Sequence, residues 1–140
     1  MKKIISLIVA ISTLLTMALA QTKGTAADNI IGTYWSPKKD AKIEIYKKAD
    51  KYFGKSIWTL TKKKDVKNPN TSLRERDLVG VELLTNFIYK DGAYQDGEIY
   101  DPESGKTYDC KINFSGNSLK VRGYVGISLF GRTETFERIN

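Results

Sequence analysis

Residues 118–139 read SLKVRGYVGISLFGRTETFERI, two runs of alternating apolar and polar side chains split by a short link that contains Gly126. Alternation at period two marks a half-buried β-strand, and two such runs joined by a turn predict neighbouring antiparallel strands. The same pattern extends upstream. Residues 30–35 form a first run, stopped by Ser36 and Pro37, and residues 41–47 a second, in which Ile43 and Ile45 alternate with Lys42, Glu44 and Tyr46. A third, residues 52–60, contains Gly54, which signals a bend or a close backbone approach. Residues 79–89 are the fourth, closed by the turn signal Lys90-Asp91-Gly92; residues 97–100 the fifth, ended by Asp101 and Pro102; residues 106–114 the sixth. Residues 118–125 and 128–138 are the seventh and eighth.

Eight short strands at nearly even spacing, with no helical apolar period, predict an all-β domain. A single eight-stranded antiparallel up-and-down barrel is the expected architecture, because closure removes exposed sheet edges. A two-sheet β-sandwich is the alternative, since periodicity does not separate the two. Between the third and fourth strands, residues 61–77 lose the pattern and read as a long loop with Lys62, Lys63, Lys64, Asp65, Asn68, Pro69 and Asn70. Loops of this length in a compact domain are usually functional or mobile.

The N-terminus has a different texture. Lys2 and Lys3, an uncharged apolar run over residues 4–19, and Ala18 and Ala20 flanking Leu19 have the three-part form of a secretory signal peptide, so cleavage is expected after Ala20. A retained membrane anchor is the competing reading. The organisation expected is therefore a leader at 1–20, a flexible lead-in at 21–29 and one barrel domain at 30–140. Because Cys110 is the single cysteine, lipid attachment next to a leader is not expected, nor is an intramolecular disulfide. On the apolar face Tyr108, Cys110, Ile112, Phe114, the thiol reads as a small buried hydrophobe. The expected location is outside the cytoplasm, periplasmic or secreted, with no membrane span in the mature chain.

The chain carries 23 basic and 16 acidic residues, +7 formally, and removing Lys2 and Lys3 leaves 21 against 16, or +5. That excess favours anionic surfaces, such as lipid head groups or acidic polymers, or it simply solubilises the molecule. Nucleic acid is not the expected partner, since its recognition needs basic residues interleaved with exposed aromatics.

There is no histidine. Its absence removes Ser-His-Asp and Cys-His catalysis, His-ligated zinc and the usual near-neutral base. Asp96, Glu98, Asp101 and Glu103 cluster in sequence and could in principle pair for carboxylate hydrolysis, but Asp101 before Pro102 reads first as a turn-former. Neither enzymatic activity nor a cofactor is expected. In the long loop, Asp65, Asn68 and Asn70 offer oxygen ligands for a cation, yet they lack the glycine and terminal glutamate of a dedicated calcium loop, and Asx residues shape turns without metal. Arg74 and Arg76 could clamp an anion at a barrel mouth, or pair with neighbouring Glu75 and Asp77 in a solvated cluster.

Four segments, DVKNPN, LRERDLVGVELL, GEIYDPESGKTYDC and LKVRGYVGISLFGRTETF, together resemble the exported bacterial family known as domain of unknown function 2147. The resemblance spans residues 31–139 and implies a lipocalin-like barrel in a signal-bearing envelope protein, with no assigned reaction. The chain departs from the family pattern at aromatic sites. Gly32 and Thr33 precede Tyr34, with Trp35 one place later, where Gly-x-Trp is usual, and Tyr94 and Phe136 stand where tryptophan is common. Lipocalin-like barrels place an arginine of the last strand over a first-strand aromatic, which assigns a latch to Arg138 with Tyr34 or Trp35.

Period two on the last strand puts Phe130, Arg132, Glu134, Phe136 and Arg138 on one face, and the aromatics turn that face inward. Arg132 is then the expected interior anchor for the anionic or carbonyl end of a small apolar or amphipathic ligand. Glu134 would orient it, and Trp58, Tyr108, Phe114 and Phe130 would form apolar wall. The alternatives are that Arg132 and Glu134 form a structural ion pair or face water, and that a filled barrel acts through its outer surface on an envelope protein or polymer.

Overall fold

A computed structural model describes residues 25–140. The leader expected at 1–20 lies outside the described residues. Eight strands, β1 (Gly32–Trp35), β2 (Ala41–Lys48), β3 (Lys51–Thr59), β4 (Glu82–Lys90), β5 (Ala93–Asp101), β6 (Lys106–Ser115), β7 (Ser118–Tyr124) and β8 (Arg132–Arg138), pair in sequence order and close into an antiparallel barrel. Closure between β8 and β1 is short: Tyr34 stands opposite Arg138 and Trp35 opposite Glu137. The Ile139 N–H donating to the Thr33 carbonyl (2.8 Å) extends it. No helix among the described residues is long and apolar enough to cross a membrane.

The connections differ between the two ends. β2–β3 and β4–β5 are joined by two-residue turns in which both residues have positive φ, Ala49 and Asp50 in one, Asp91 and Gly92 in the other. This is the turn geometry that matches strand twist. The β6–β7 turn is equally short, with Ser115 opposite Ser118. All three lie at one end, and the long connections (residues 60–81 above all) lie at the other, so one end is drawn shut and the other is a mouth.

At the shut end the inward face is filled by Tyr34, Ile45, Tyr52, Phe87, Tyr94 and Ile112, all buried. Glycine is required at position 97 because a Cβ there would lie 2.4 Å from the buried Phe87 ring of the neighbouring strand β4. The lead-in is not loose at its C-terminal part: Ala26–Ile30 forms a 3-10 turn that plugs this end. Tyrosine hydroxyls hold it, Tyr34 donating to the Ile30 carbonyl (2.7 Å), Tyr94 to Ala27 (2.6 Å) and Tyr52 to Asp28 Oδ1 (2.5 Å). The reason is a match of orphan acceptors to buried hydroxyls that sequence polarity conceals.

Strand limits shift where tertiary contacts decide them. β4 starts at Glu82 rather than residue 79, and β5 starts at Ala93, four residues before the expected 97. β8 begins only at Arg132, because Ser128–Phe130 forms a 3-10 turn.

Candidate functional site

The mouth opens into a cavity of about 1020 Å³. Its walls are inward residues from the mouth-side halves of the strands: Ile43 of β2, Ser56 of β3, Leu84 of β4, Ile99 of β5, Tyr108 of β6, Val121 of β7, and Glu134 and Phe136 of β8. Cross-strand partners agree with that orientation, since Glu134 pairs with Val121 and Phe136 with Leu119, both buried. The volume is at the upper end of what small-molecule sites occupy, and the composition, apolar walls with few polar groups, is theirs too. One of those polar groups is unusual. Ser56 is 1% exposed, and its Oγ has no hydrogen-bond partner among the described residues. A buried hydroxyl without a partner costs about 1–3 kcal/mol, so such groups are normally satisfied.

The rim comes from four connections: residues 36–40, the long loop at 60–81, the β5–β6 turn and the β7–β8 link. Asp65, fully buried, organises the long loop. Its carboxylate accepts from Tyr100 Oη (2.5 Å), Asn68 Nδ2 (2.8 Å), and Arg76 Nε (2.9 Å) and Nη2 (2.8 Å). Burial works to raise its pKa, but the hydrogen bonds from Tyr100, Asn68 and Arg76, with the guanidinium charge, outweigh it and the carboxyl sits below its ordinary value. Arg74 Nε donates to the Asn68 carbonyl (2.8 Å), and Asn70 caps the 3-10 turn Thr71–Leu73 through Ser72. Arg76 and Arg74 therefore tie the loop to itself, and Tyr100 ties it to β5. Gly105, at φ +73°, completes the contact: a Cβ there would stand 2.0 Å from the Lys67 carbonyl.

Of the expected wall and anchor residues, Arg132 and Phe130 line the cavity only at its mouth, and Trp58 and Phe114 lie away from it. Arg132 sits on the inward side of β8 but at the outermost level, its side chain 86% exposed and paired with Glu134 at 3.2 Å, so it is no interior anchor. Height in the barrel, which face-counting ignores, is the reason. Phe130 stands at the mouth but is 76% exposed, because it belongs to the 3-10 turn and not to β8. Trp58 faces outside. Counting by twos from Tyr52, Gly54 and Ser56 would turn it inward, but a bulge intervenes: Ser56 pairs with Ile43 and Trp58 with Lys42, leaving Ile57 as the extra residue. On the outer wall Trp58 meets Trp35 edge-to-face at 6.0 Å, with the Lys42 ammonium 4.9 and 5.3 Å from the two rings.

Phe114 keeps the inward direction but lies at the shut end, where the Arg138 guanidinium covers it at 5.1 Å. Arg138 also lies 5.2 Å over the Tyr34 ring and donates to Tyr34 Oη (2.8 Å), the Ile31 carbonyl (3.1 Å) and the Asn29 carbonyl. Trp35, its other expected partner, is instead in the outer tryptophan pair. Tyr108 does line the cavity. Of the clustered carboxylates, Asp96 and Glu98 are exposed, Asp101 caps its turn through the Glu103 N–H and Ser104 Oγ, and Glu103 pairs with Lys38 at 3.6 Å. Ser56 was not singled out from the sequence; its signal is a small polar residue on the Tyr52–Gly54–Ser56 inward face.

The chain is similar to a solved structure, protein HP1028 from the human pathogen Helicobacter pylori, described as belonging to the lipocalin family: 26% identity over 79% of this chain and 82% of that one, with a TM-score of 0.71. No curated protein matches the sequence. Residues 32–138 match the family described as "Uncharacterized protein conserved in bacteria (DUF2147)", which takes in the whole of the barrel, and the chain belongs to that family, with a lipocalin-like fold.

Proposed function

We propose that this chain is a binding protein that holds one small, partly apolar molecule in the open half of its barrel. The observation that carries the reading is the buried, unpartnered Ser56 hydroxyl in a cavity wall that includes the apolar side chains of Ile43, Leu84, Ile99, Val121 and Phe136. A molecule with an apolar body and one carbonyl or hydroxyl at the level of Ser56 satisfies both features. Glu134, half-exposed above it, is placed to accept from a second polar group nearer the mouth. The reading is of binding without chemical conversion, in an envelope or secreted setting, which the leader pattern of residues 1–20 supports.

Mass spectrometry of organic extracts from protein purified out of its own cells tests the reading. The expected result is a co-purifying molecule at near-equal stoichiometry, and about tenfold weaker retention by Ser56→Ala, the loss of one hydrogen bond of ~1.4 kcal/mol. Extracts without such a molecule, from a protein that amphipathic additives also fail to stabilise, would overturn it.

A further inference from the structure

Among the described residues, the six most exposed large apolar side chains are Leu60, Val66, Val125, Ile127, Leu129 and Phe130, between 57% and 76% exposed. All six lie in two connections at the mouth, those between β3 and β4 and between β7 and β8. Every other exposed large apolar side chain among the described residues is at or below 49%. Isolated exposed apolar residues need no explanation, but a concentration of the most exposed ones at one end marks an interaction surface.

The β7–β8 link is held in its outward pose. From β7, Arg122 donates through Nε to the Ser128 carbonyl (2.6 Å), through Nη2 to the Leu129 carbonyl (3.2 Å) and through Nη1 to Thr133 Oγ1 (2.8 Å). The Phe130 N–H donates to the Ile127 carbonyl (3.2 Å), and Gly131 packs where a Cβ would meet the Gly123 carbonyl at 2.6 Å. With the Ile127 N–H donating to the Val125 carbonyl (3.1 Å), the carbonyls of Val125, Ile127, Ser128 and Leu129 all have donors from within the chain, which lowers the cost of bringing this link to a low-dielectric boundary.

Charge complements it. The β3–β4 connection carries Lys62, Lys63, Lys64 and Lys67, all exposed. Of these only Lys64 has a carboxylate partner among the described residues, Glu75 at 3.2 Å. The one acid within that run, Asp65, is buried and taken by Arg76. The two connections together therefore offer apolar tips beside unneutralised ammonium groups, the combination that binds an interface between anionic head groups and acyl chains.

We propose that the mouth of the barrel docks on an anionic lipid bilayer, with Leu129 and Phe130 entering the acyl boundary and Lys62, Lys63 and Lys67 on the head groups. A protein groove fits less well, because the apolar side chains are divided between two connections and one of these carries four exposed lysines. The proposal does not rest on the cavity being occupied; ligand-free and ligand-bearing protein present the same tips.

Flotation with phosphatidylcholine vesicles, with and without a quarter phosphatidylglycerol, is the test. All proteins compared carry the same N-terminus, so differences between them report the mouth alone. Expected are partitioning at least about tenfold stronger onto the anionic vesicles, falling about tenfold in Lys63→Glu/Lys67→Glu, in Leu129→Ser/Phe130→Ser, and in high salt. A Phe130→Trp reporter should be quenched by brominated acyl chains on binding, over the unchanged background of Trp35 and Trp58. Equal binding by wild type and both double variants would overturn the proposal, as would charge-dependent binding without quenching. So would a wild type that ignores vesicles but captures an envelope protein through the same residues.

Discussion

Cys110 shows how one residue's chemistry is set by its neighbours. Fully buried on the inward face of β6, it has its thiol pushed up to about 12 by burial. Thiolate is the reactive form, so the folded protein should leave a disulfide reagent unconsumed at pH 8 and release one equivalent in denaturant. Rapid reaction in the native state would contradict the packing. Asp65 carries the opposite lesson, a carboxylate that stays charged while buried because four donors reach it. Its folded pKa lies below the unfolded value of about 3.9, so its stabilisation is complete above that value and disappears as pH falls through the lowered one. Asp65→Asn should lower stability at pH 7 by about 3 kcal/mol, the scale for breaking a buried charged pair, and should flatten the acid limb of a denaturant midpoint against pH profile. An unchanged acid limb would show that another group controls it.

At the scale of elements, the weakest seam is β1 against β8. β1 is four residues long and meets β8 at two, so closure depends on what crosses the seam. Arg138 does, binding Tyr34, Ile31 and Asn29 and covering the Tyr34 and Phe114 rings. Arg138→Met keeps the bulk and removes the donors, and should cost about 2 kcal/mol, with faster hydrogen exchange in β1 than in β5. Uniform loss of protection would mean that the seam is not where opening starts. Gly97 bears on the β4–β5 pair, on the far side of the barrel from that seam: Gly97→Ala forces a methyl against the Phe87 ring and should destabilise by about 1–3 kcal/mol, with the Phe87→Leu background recovering part of it.

Across the whole molecule, three tyrosine–carboxylate pairs join segments distant in sequence: Tyr52 with Asp28, Tyr46 with Glu82, and Tyr100 with Asp65. Hydrogen bonding from Tyr52 and from Tyr46 holds Asp28 and Glu82 low, against burial, just as Asp65 is held low. Burial, and then the carboxylate partner, pushes the Tyr46, Tyr52 and Tyr100 hydroxyls up, Tyr100 to about 12; burial does the same to Tyr94, also to about 12. A raised tyrosine pKa stabilises fully below the unfolded value of about 10 and less as pH climbs to the folded value. Stability should therefore be flat across the neutral range and fall on both sides, below about pH 4 and above about pH 10, with the alkaline fall reduced in Tyr94→Phe. A maximum outside that range, by urea midpoint against pH, would refute the pairing scheme.

The barrel itself was legible because strand number, alternation and turn residues are local properties: Ala49-Asp50, Asp91-Gly92 and Gly116-Asn117 mark the three tight turns without reference to the rest of the chain. The inward direction of Glu134, Phe136, Tyr108 and Cys110 was legible for the same reason, since alternation survives wherever the ladder is regular. What alternation does not contain is a bulge or a height. The extra residue at Ile57 reversed Trp58, and the level of Arg132 at the mouth left it in water although its face was inward. Residues 26–29 read as a polar lead-in because their packing depends on hydroxyls far along the chain, Tyr52 reaching Asp28 across 24 residues and Tyr94 reaching Ala27 across 67. Period and turn chemistry act between neighbours in sequence, and they determined the fold; cavity, plug and exposed mouth arise between neighbours in space, and only the closed barrel decided them.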